Sequence, residues 1–223
     1  MWVKVVLILG CYLLGSLPVV QLMAVLRGLD PDKEVDLHLS LWRKVGYLAG
    51  GLAVTWDIAK GVIAPLVAWL LGFPTLIVIL AGLAVVVGQM WPIFTRFEGE
   101  KGNSTGIGVA SFIAPRAFGL GLVPVVLGVA FRIYSTRGSG SPAGQRFKFR
   151  NPSAAMPLGM LAGFAVFPLA AWGLGQPREV IWGYLGLFGL IVLRRFTSGL
   201  KEDLKTAPSK LEVLKNRFLY DHS

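Results

Sequence analysis

Residues 75–108 read TLIVILAGLAVVVGQMWPIFTRFEGEKGNSTGIG. Positions 75–94 are apolar apart from Thr75 and Gln89, and they end on Trp91, Pro92 and Phe94. A run of about 20 such residues is what a helix needs to cross the hydrocarbon layer of a bilayer. An aromatic residue and a proline are natural where that helix meets the headgroups. The next stretch has the opposite character. Glu98-Gly99-Glu100-Lys101-Gly102-Asn103-Ser104-Thr105-Gly106-Ile107-Gly108 is polar and rich in glycine. Its backbone is free to turn tightly and aim several N–H groups at one point. Lys101 offers a mobile positive charge, and Asn103, Ser104 and Thr105 offer side-chain donors. Ser104 or Thr105 is placed to cap the following helix, whose own unbonded N–H groups favour an anion. The GxxxxGK[ST] spacing of a nucleotide-binding loop is absent. Taken alone, the stretch is either an anion grip or a turn that caps a helix.

Composition sets the class. The chain is 54% hydrophobic and 15% charged, with mean hydropathy +0.64, which is not the composition of a soluble domain. It reads as a polytopic membrane protein whose 28 glycines suit closely packed membrane helices. The single Cys11 excludes a disulfide within the chain. His38 and His222 lie far apart without cysteine or paired-carboxylate support, so no metal site is expected. The net charge of +10 fits basic cytoplasmic loops better than a nucleic-acid partner.

Apolar segments are expected over 2–25, 46–71, 75–94, 105–131, 153–174 and 179–193. A polar loop over 27–44 and a basic one over 132–152 separate them, and a charged tail from Arg194 is expected to end in an amphipathic helix at the membrane surface. Asp57 and Lys60 stand three residues apart inside the second segment and therefore on one helical face. They form a structural ion pair or line a polar cleft. The distribution of basic residues places the 27–44, 96–101 and 132–152 stretches and the tail on one side, which gathers 18 of the 22 Lys and Arg there. Segment 105–131 must then cross twice, turning near Pro115-Arg116. The result is an all-α integral membrane protein of about seven transmembrane helices, some short, with the N-terminus outside and the C-terminus cytoplasmic. Six spans are the alternative, with 105–131 as one long helix.

Several ordered motifs then resemble those of the PlsY family of bacterial membrane glycerol-3-phosphate acyltransferases, over nearly the whole chain. Gly15-Ser16-Leu17-Pro18 is similar to the family's GSIP, and Leu41-Trp42-Arg43-Lys44-Val45-Gly46 to the end of its first motif. Asp57-Ile58-Ala59-Lys60-Gly61 resembles DxxKG, Gly88 to Phe94 resembles GHxxPxF, and Glu98 to Gly106 resembles KGGKGVATG. Asn151-Pro152-Ser153 stands at the serine-rich turn, and Arg194-Arg195 resembles the start of HRxNxxR. Five departures stand out. Glu34 to Leu41 replaces GSGNxGATN and keeps Ser40, Gln89 replaces a histidine, Glu100 replaces a glycine, Arg194 stands where the tail motif has histidine, and the asparagine expected after Arg195 is missing. Glu34 and Asp36 are expected to repel a phosphate.

The resemblance implies one PlsY-like membrane domain over 1–223, with 194–223 as a cytoplasmic tail, in a bacterial plasma membrane. It implies acyl transfer from acyl phosphate to glycerol 3-phosphate with no cofactor and no metal, among membrane lipids as partners. The residues it points to as catalytic are Lys101, Arg43 and Ser40. Gly99, Gly102, Asn103, Ser104, Thr105, Ser153, Arg195, Asp57 and Lys60 are the expected substrate and phosphate contacts. His38 reads as a solvated loop residue, with general base as its other possible role. Two other functions stay open: a related protein with altered or lost activity that binds or regulates lipid, and a small transporter. Against the transporter stands the lack of an evident internal repeat in 223 residues.

Overall fold

The computed structural model describes residues 2–31, 34, 37–137 and 155–198. All regular structure among the described residues is helical. The α-helices are α1 (Trp2–Ser16), α2 (Val19–Leu26), α3 (Leu37–Ser40), α4 (Tyr47–Leu70), α5 (Thr75–Met90), α6 (Asn103–Ile113), α7 (Pro115–Arg137), α8 (Ala155–Gly173) and α9 (Arg178–Thr197), with a π-helical turn over Leu41–Val45 and a 3-10 turn over Ile93–Thr95. Among the described residues, four stretches are long and apolar enough to cross a membrane: Trp2–Leu26, Tyr47–Leu70, Thr75–Thr95 and Arg178–Thr197. Pro115–Phe131 and Pro157–Gly173 are shorter apolar helices.

Two boundaries differ from the sequence reading, and a third break falls where a turn was expected. The run over 2–25 is broken at Leu17-Pro18, because a proline lacks the N–H for the helical ladder and its ring clashes with the carbonyl four residues back. Segment 105–131 is divided between Ile113 and Pro115, where the hairpin turn was expected. α7 then runs on through 132–137, positions assigned above to the basic loop. The rest of that loop, Ser153 and the tail beyond 198 lie outside the described residues.

The chain forms two compact units, Met1–Ile113 and Ala114–Ser223. In the first, α1 packs on α5 and α4 packs on both α5 and α6. The backbones of α4 and α6 approach closely. A Cβ on Gly61 would lie 2.2 Å from the Thr105 carbonyl oxygen, and one on Gly108 would lie 2.1 Å from that of Ile58. Only glycine allows two backbones this close, and apolar surroundings leave packing as the main force between helices. The start of α6 is thereby fixed against the middle of α4, level with Asp57 and Lys60.

In the second unit α7 packs on α8 and α8 on α9. Phe118, Phe164, Phe167 and Tyr184 form its aromatic core, with neighbouring ring centroids 5.3–5.8 Å apart. Tyr184 Oη donates to the Ala114 carbonyl at 3.1 Å, satisfying a hydroxyl that is otherwise buried.

Candidate active site

The site begins with an apolar anchor. Val20 and Ala24 of α2, Leu37 of α3, Leu41, and Ala49 and Ala53 of α4 form one buried cluster. It holds the short segment 37–45 down on α4, with the chain reversing at Gly46, φ +135°, a backbone conformation that side chains disfavour. Anchored this way, α3 presents His38 to the middle of α4. His38 Nε2 lies 2.8 Å from Asp57 Oδ2. One turn further along α4, Lys60 Nζ is 2.8 Å from Asp57 Oδ1, both side chains being 1% exposed. Asp57 and Lys60 thus form a buried ion pair.

Gln89, at the end of α5, ties the pair to the glycine-rich loop. Its amide oxygen accepts from Lys60. Its amide nitrogen donates to Asp57 Oδ2 at 3.1 Å and to Glu100 Oε2 at 3.0 Å. Glu100 Oε2 in turn lies 3.2 Å from His38 Nδ1. Five side chains from four parts of the chain thus form one closed network. Its two carboxylates face two basic groups, and this pairing with hydrogen bonds is what makes buried charge tolerable. His38 is not the solvated loop residue expected from its position.

The glycine-rich loop is folded by its own backbone. Thr95 Oγ1 donates to the Glu98 carbonyl at 2.7 Å, and the Glu100 N–H donates to the Gln89 carbonyl at 3.2 Å. The Glu100 N–H is therefore spent on the fold and is not offered to a ligand. Arg96 and Phe97 both take left-handed φ values, 55° and 66°, which is uncommon for residues other than glycine. Gly102, φ +74°, precedes α6, and its carbonyl accepts the Gly106 N–H at 2.8 Å. α6 therefore starts at Asn103, and Ser104 and Thr105 lie inside its first turn rather than at the capping position. The N–H groups of Asn103, Ser104 and Thr105 are those that helix geometry leaves without an intrahelical partner. Thr105 is fully buried. Neither its Oγ1 nor Asn103 Oδ1 has a hydrogen-bond partner among the described residues. Lys101, half-buried, stands two residues ahead of the helix.

The other expected residues are distributed differently. Ser40, 9% exposed, donates to Glu34 Oε2 at 2.5 Å. Glu34 also pairs with Lys44. The Lys44 contact first, and then Ser40, hold the Glu34 carboxyl below its ordinary range. Its charge is thereby committed within the first polar segment. Arg43 is exposed on the turn over Leu41–Val45. Arg195 is buried in the second unit, where Nη2 donates to the Pro157 carbonyl at 2.8 Å. Ser153 lies outside the described residues. His38, Asp57 and Glu100 each bring a ligand-type atom within 4.8 Å of the others. Here the ring nitrogens point at the carboxylates and Lys60 sits on Asp57, the arrangement of a hydrogen-bonded cluster.

Gly99 is a sensitive point. A Cβ there would lie 2.3 Å from the Gln89 carbonyl oxygen and 2.4 Å from Pro92 Cδ. Gly99→Ala must push the loop off the end of α5. Since a displacement of about 1 Å costs on the order of 100-fold in rate, turnover should fall by about that factor. Thermal stability should fall much less, and paired rate and melting measurements on the variant check this.

The profile of the family described as glycerol-3-phosphate acyltransferase matches residues 5–205. The chain belongs to that family. Glycerol-3-phosphate acyltransferase 4 of Dehalococcoides mccartyi strain CBDB1 is 28% identical over 223 residues, covering 98% of this chain and 89% of the relative. Glycerol-3-phosphate acyltransferase of Trichlorobacter lovleyi is 37% identical over 135 residues, covering 59% and 70% respectively. Among solved structures, the lysophosphatidic acid form of PlsY, an integral membrane glycerol 3-phosphate acyltransferase, aligns with TM-score 0.68 and 24% identity. That alignment covers 91% of this chain and 92% of PlsY. The glycerol 3-phosphate form aligns with TM-score 0.68 and 23% identity over 95% and 98%. This likeness is one of fold, and with the four stretches long and apolar enough to cross a membrane it supports a multi-pass membrane protein. Position 89 of this acyltransferase is Gln89, and both Gln89 and the His38 imidazole meet Asp57 Oδ2.

Proposed function

We propose that this acyltransferase moves an acyl group from acyl phosphate to the 1-hydroxyl of glycerol 3-phosphate. The products are 1-acylglycerol 3-phosphate and inorganic phosphate, at a step of phospholipid synthesis. The observation that carries the reading is the glycine-rich loop, in which Lys101 and the first turn of α6 sit beside the buried cluster of Asp57, Lys60 and Gln89. The names of the relatives supply the acceptor.

An acyl phosphate is a mixed anhydride with a good leaving group, so positioning and charge stabilisation suffice. The acceptor hydroxyl oxygen bonds to the acyl carbon as the bond from that carbon to the phosphate oxygen breaks. The hydroxyl proton passes to a phosphate oxygen of the substrates. Lys101, the N–H groups of Asn103 to Thr105, and Arg43 from the neighbouring turn hold phosphate oxygens, and Ser104 and Thr105 add hydrogen bonds. Ser40 reaches a ligand only by leaving Glu34. Ser153 and Arg195 belong to the proposed contacts by motif position. The acyl chain lies among the helices and enters from the membrane. We place the loops on the cytoplasmic face of a bacterial plasma membrane, in a seven-span arrangement with the N-terminus outside and a single functional domain.

The test is product analysis by mass spectrometry. Purified protein with palmitoyl phosphate and glycerol 3-phosphate should give 1-palmitoylglycerol 3-phosphate, and palmitoyl coenzyme A should not replace the donor. Equal turnover of the coenzyme A ester would overturn the proposed donor, and acylation of a different alcohol would overturn the acceptor.

A further inference from the structure

His38 is engaged at both ring nitrogens, Nε2 to Asp57 Oδ2 at 2.8 Å and Nδ1 to Glu100 Oε2 at 3.2 Å. A neutral imidazole carries one N–H, and an ionised carboxylate only accepts. Two such contacts therefore need two protons on the ring. The surroundings are consistent with that count. Asp57 and Lys60 face the cluster from α4, Gln89 faces it from α5, and Glu100 from the loop. On the segment carrying His38, Glu34 is committed to Ser40 and Lys44. With the ring doubly protonated, Asp57 and Glu100 are balanced by Lys60 and His38. With the ring neutral, Asp57 and Glu100 lose one of the two positive charges that face them in this cluster, and one of the two contacts is lost.

Glu100 stands three residues ahead of the first turn of α6 and one ahead of Lys101. Its carboxylate would oppose any anion bound there. We propose that His38 is a positioning residue: as a doubly protonated ring it clamps Glu100 to Asp57, draws that carboxylate away from the phosphate-binding turn, and so sets the affinity for the phosphate-bearing substrate. This rests on the phosphate-binding role proposed above for the loop. His38 need not touch the substrate. Loss of its proton removes one of the contacts on Glu100 and leaves Oε2 with the Gln89 amide, so that the charge of Glu100 competes more strongly with the substrate.

Two measurements separate this from a failure of the acyl-transfer reading. The first needs no activity. In a His222→Gln background His38 is the sole histidine, so nitrogen NMR of labelled imidazole reports it directly. Both ring nitrogens should be protonated at neutral pH, and in Glu100→Gln the ring should give up its second proton at lower pH. A neutral ring at pH 7 would overturn the proposal. So would stoichiometric zinc binding that shifts the His38 signal, since the three side chains would then be metal ligands. The second measurement follows kcat and KM for glycerol 3-phosphate from about pH 5.5 to 8.5, the range in which histidine titrates. KM should rise about tenfold as pH rises, the effect of one partly screened charge, while kcat changes less. Glu100→Gln should flatten the rise. His38→Gln should show the high KM throughout. Wild-type pH dependence in either variant would reduce His38 to a packing residue.

Discussion

Asp57→Ala should destabilise the protein by about 3–5 kcal/mol, the cost of leaving a buried charge without its partner. Asp57 and Lys60 are each 1% exposed, and the Lys60 ammonium meets Asp57 Oδ1, the Gln89 amide oxygen and, at 3.5 Å, the Gly15 carbonyl. Removing the carboxylate leaves that ammonium with neutral acceptors in an apolar bundle. It also deprives His38 and the Gln89 amide of an acceptor. The expected result is a large drop in the melting temperature of the detergent-purified variant. Replacing both partners with apolar groups, Asp57→Leu with Lys60→Met, should recover much of the loss, because neither charge of that pair then remains to be desolvated and His38 and Glu100 still face each other. A single variant that melted within about 1 kcal/mol of wild type, far below the 3–5 kcal/mol expected of a broken buried pair, would show that the pair is solvated in the working protein.

Lys101→Ala should leave the fold intact and lower kcat/KM by about 10²–10³, the usual loss when one preorganised donor to a developing negative charge is removed. Lys101 is half-buried and stands two residues ahead of α6, while α6 is held on α4 through Gly61, Thr105 and Gly108. Lys101→Arg should restore part of the rate, since it keeps the charge but presents it on a planar fork. The check is steady-state kinetics on folded protein, with melting curves beside them. A rate within about twofold of wild type would remove Lys101 from the phosphate contacts, given the far larger loss expected for a direct donor.

How much of this was legible in the sequence differs from residue to residue. The membrane class followed from runs such as 75–94, since length and polarity are one-dimensional properties. The helix break near Pro115 and the Asp57–Lys60 pair were readable for the same reason: a proline and an i,i+3 spacing act locally. His38 was misread because its partners are 19 and 62 positions away in the chain. Its placement depends on α2, α3 and α4 burying Val20, Ala24, Leu37 and Ala53 together. No periodicity in the sequence encodes such a reversal. Gln89 and Glu100 were noted only as departures from a pattern, although both complete the cluster around Asp57. Read jointly with His38, an imidazole missing at 89 and one present in the preceding loop would have been the available signal. Glu34 was expected to repel phosphate, and the ladder to Ser40 and Lys44 that occupies it depends on a fold-back beyond the reach of local rules.

The most direct test of the proposed chemistry is the initial rate of phosphate release from palmitoyl phosphate by the wild-type protein as glycerol 3-phosphate is varied. Release that is negligible without acceptor and rises to saturation with it is the expected result, because the loop and the cluster beneath it would then be assembling two phosphate-bearing substrates. Release that does not respond to glycerol 3-phosphate, in protein shown to be folded, would contradict acyl transfer to that acceptor.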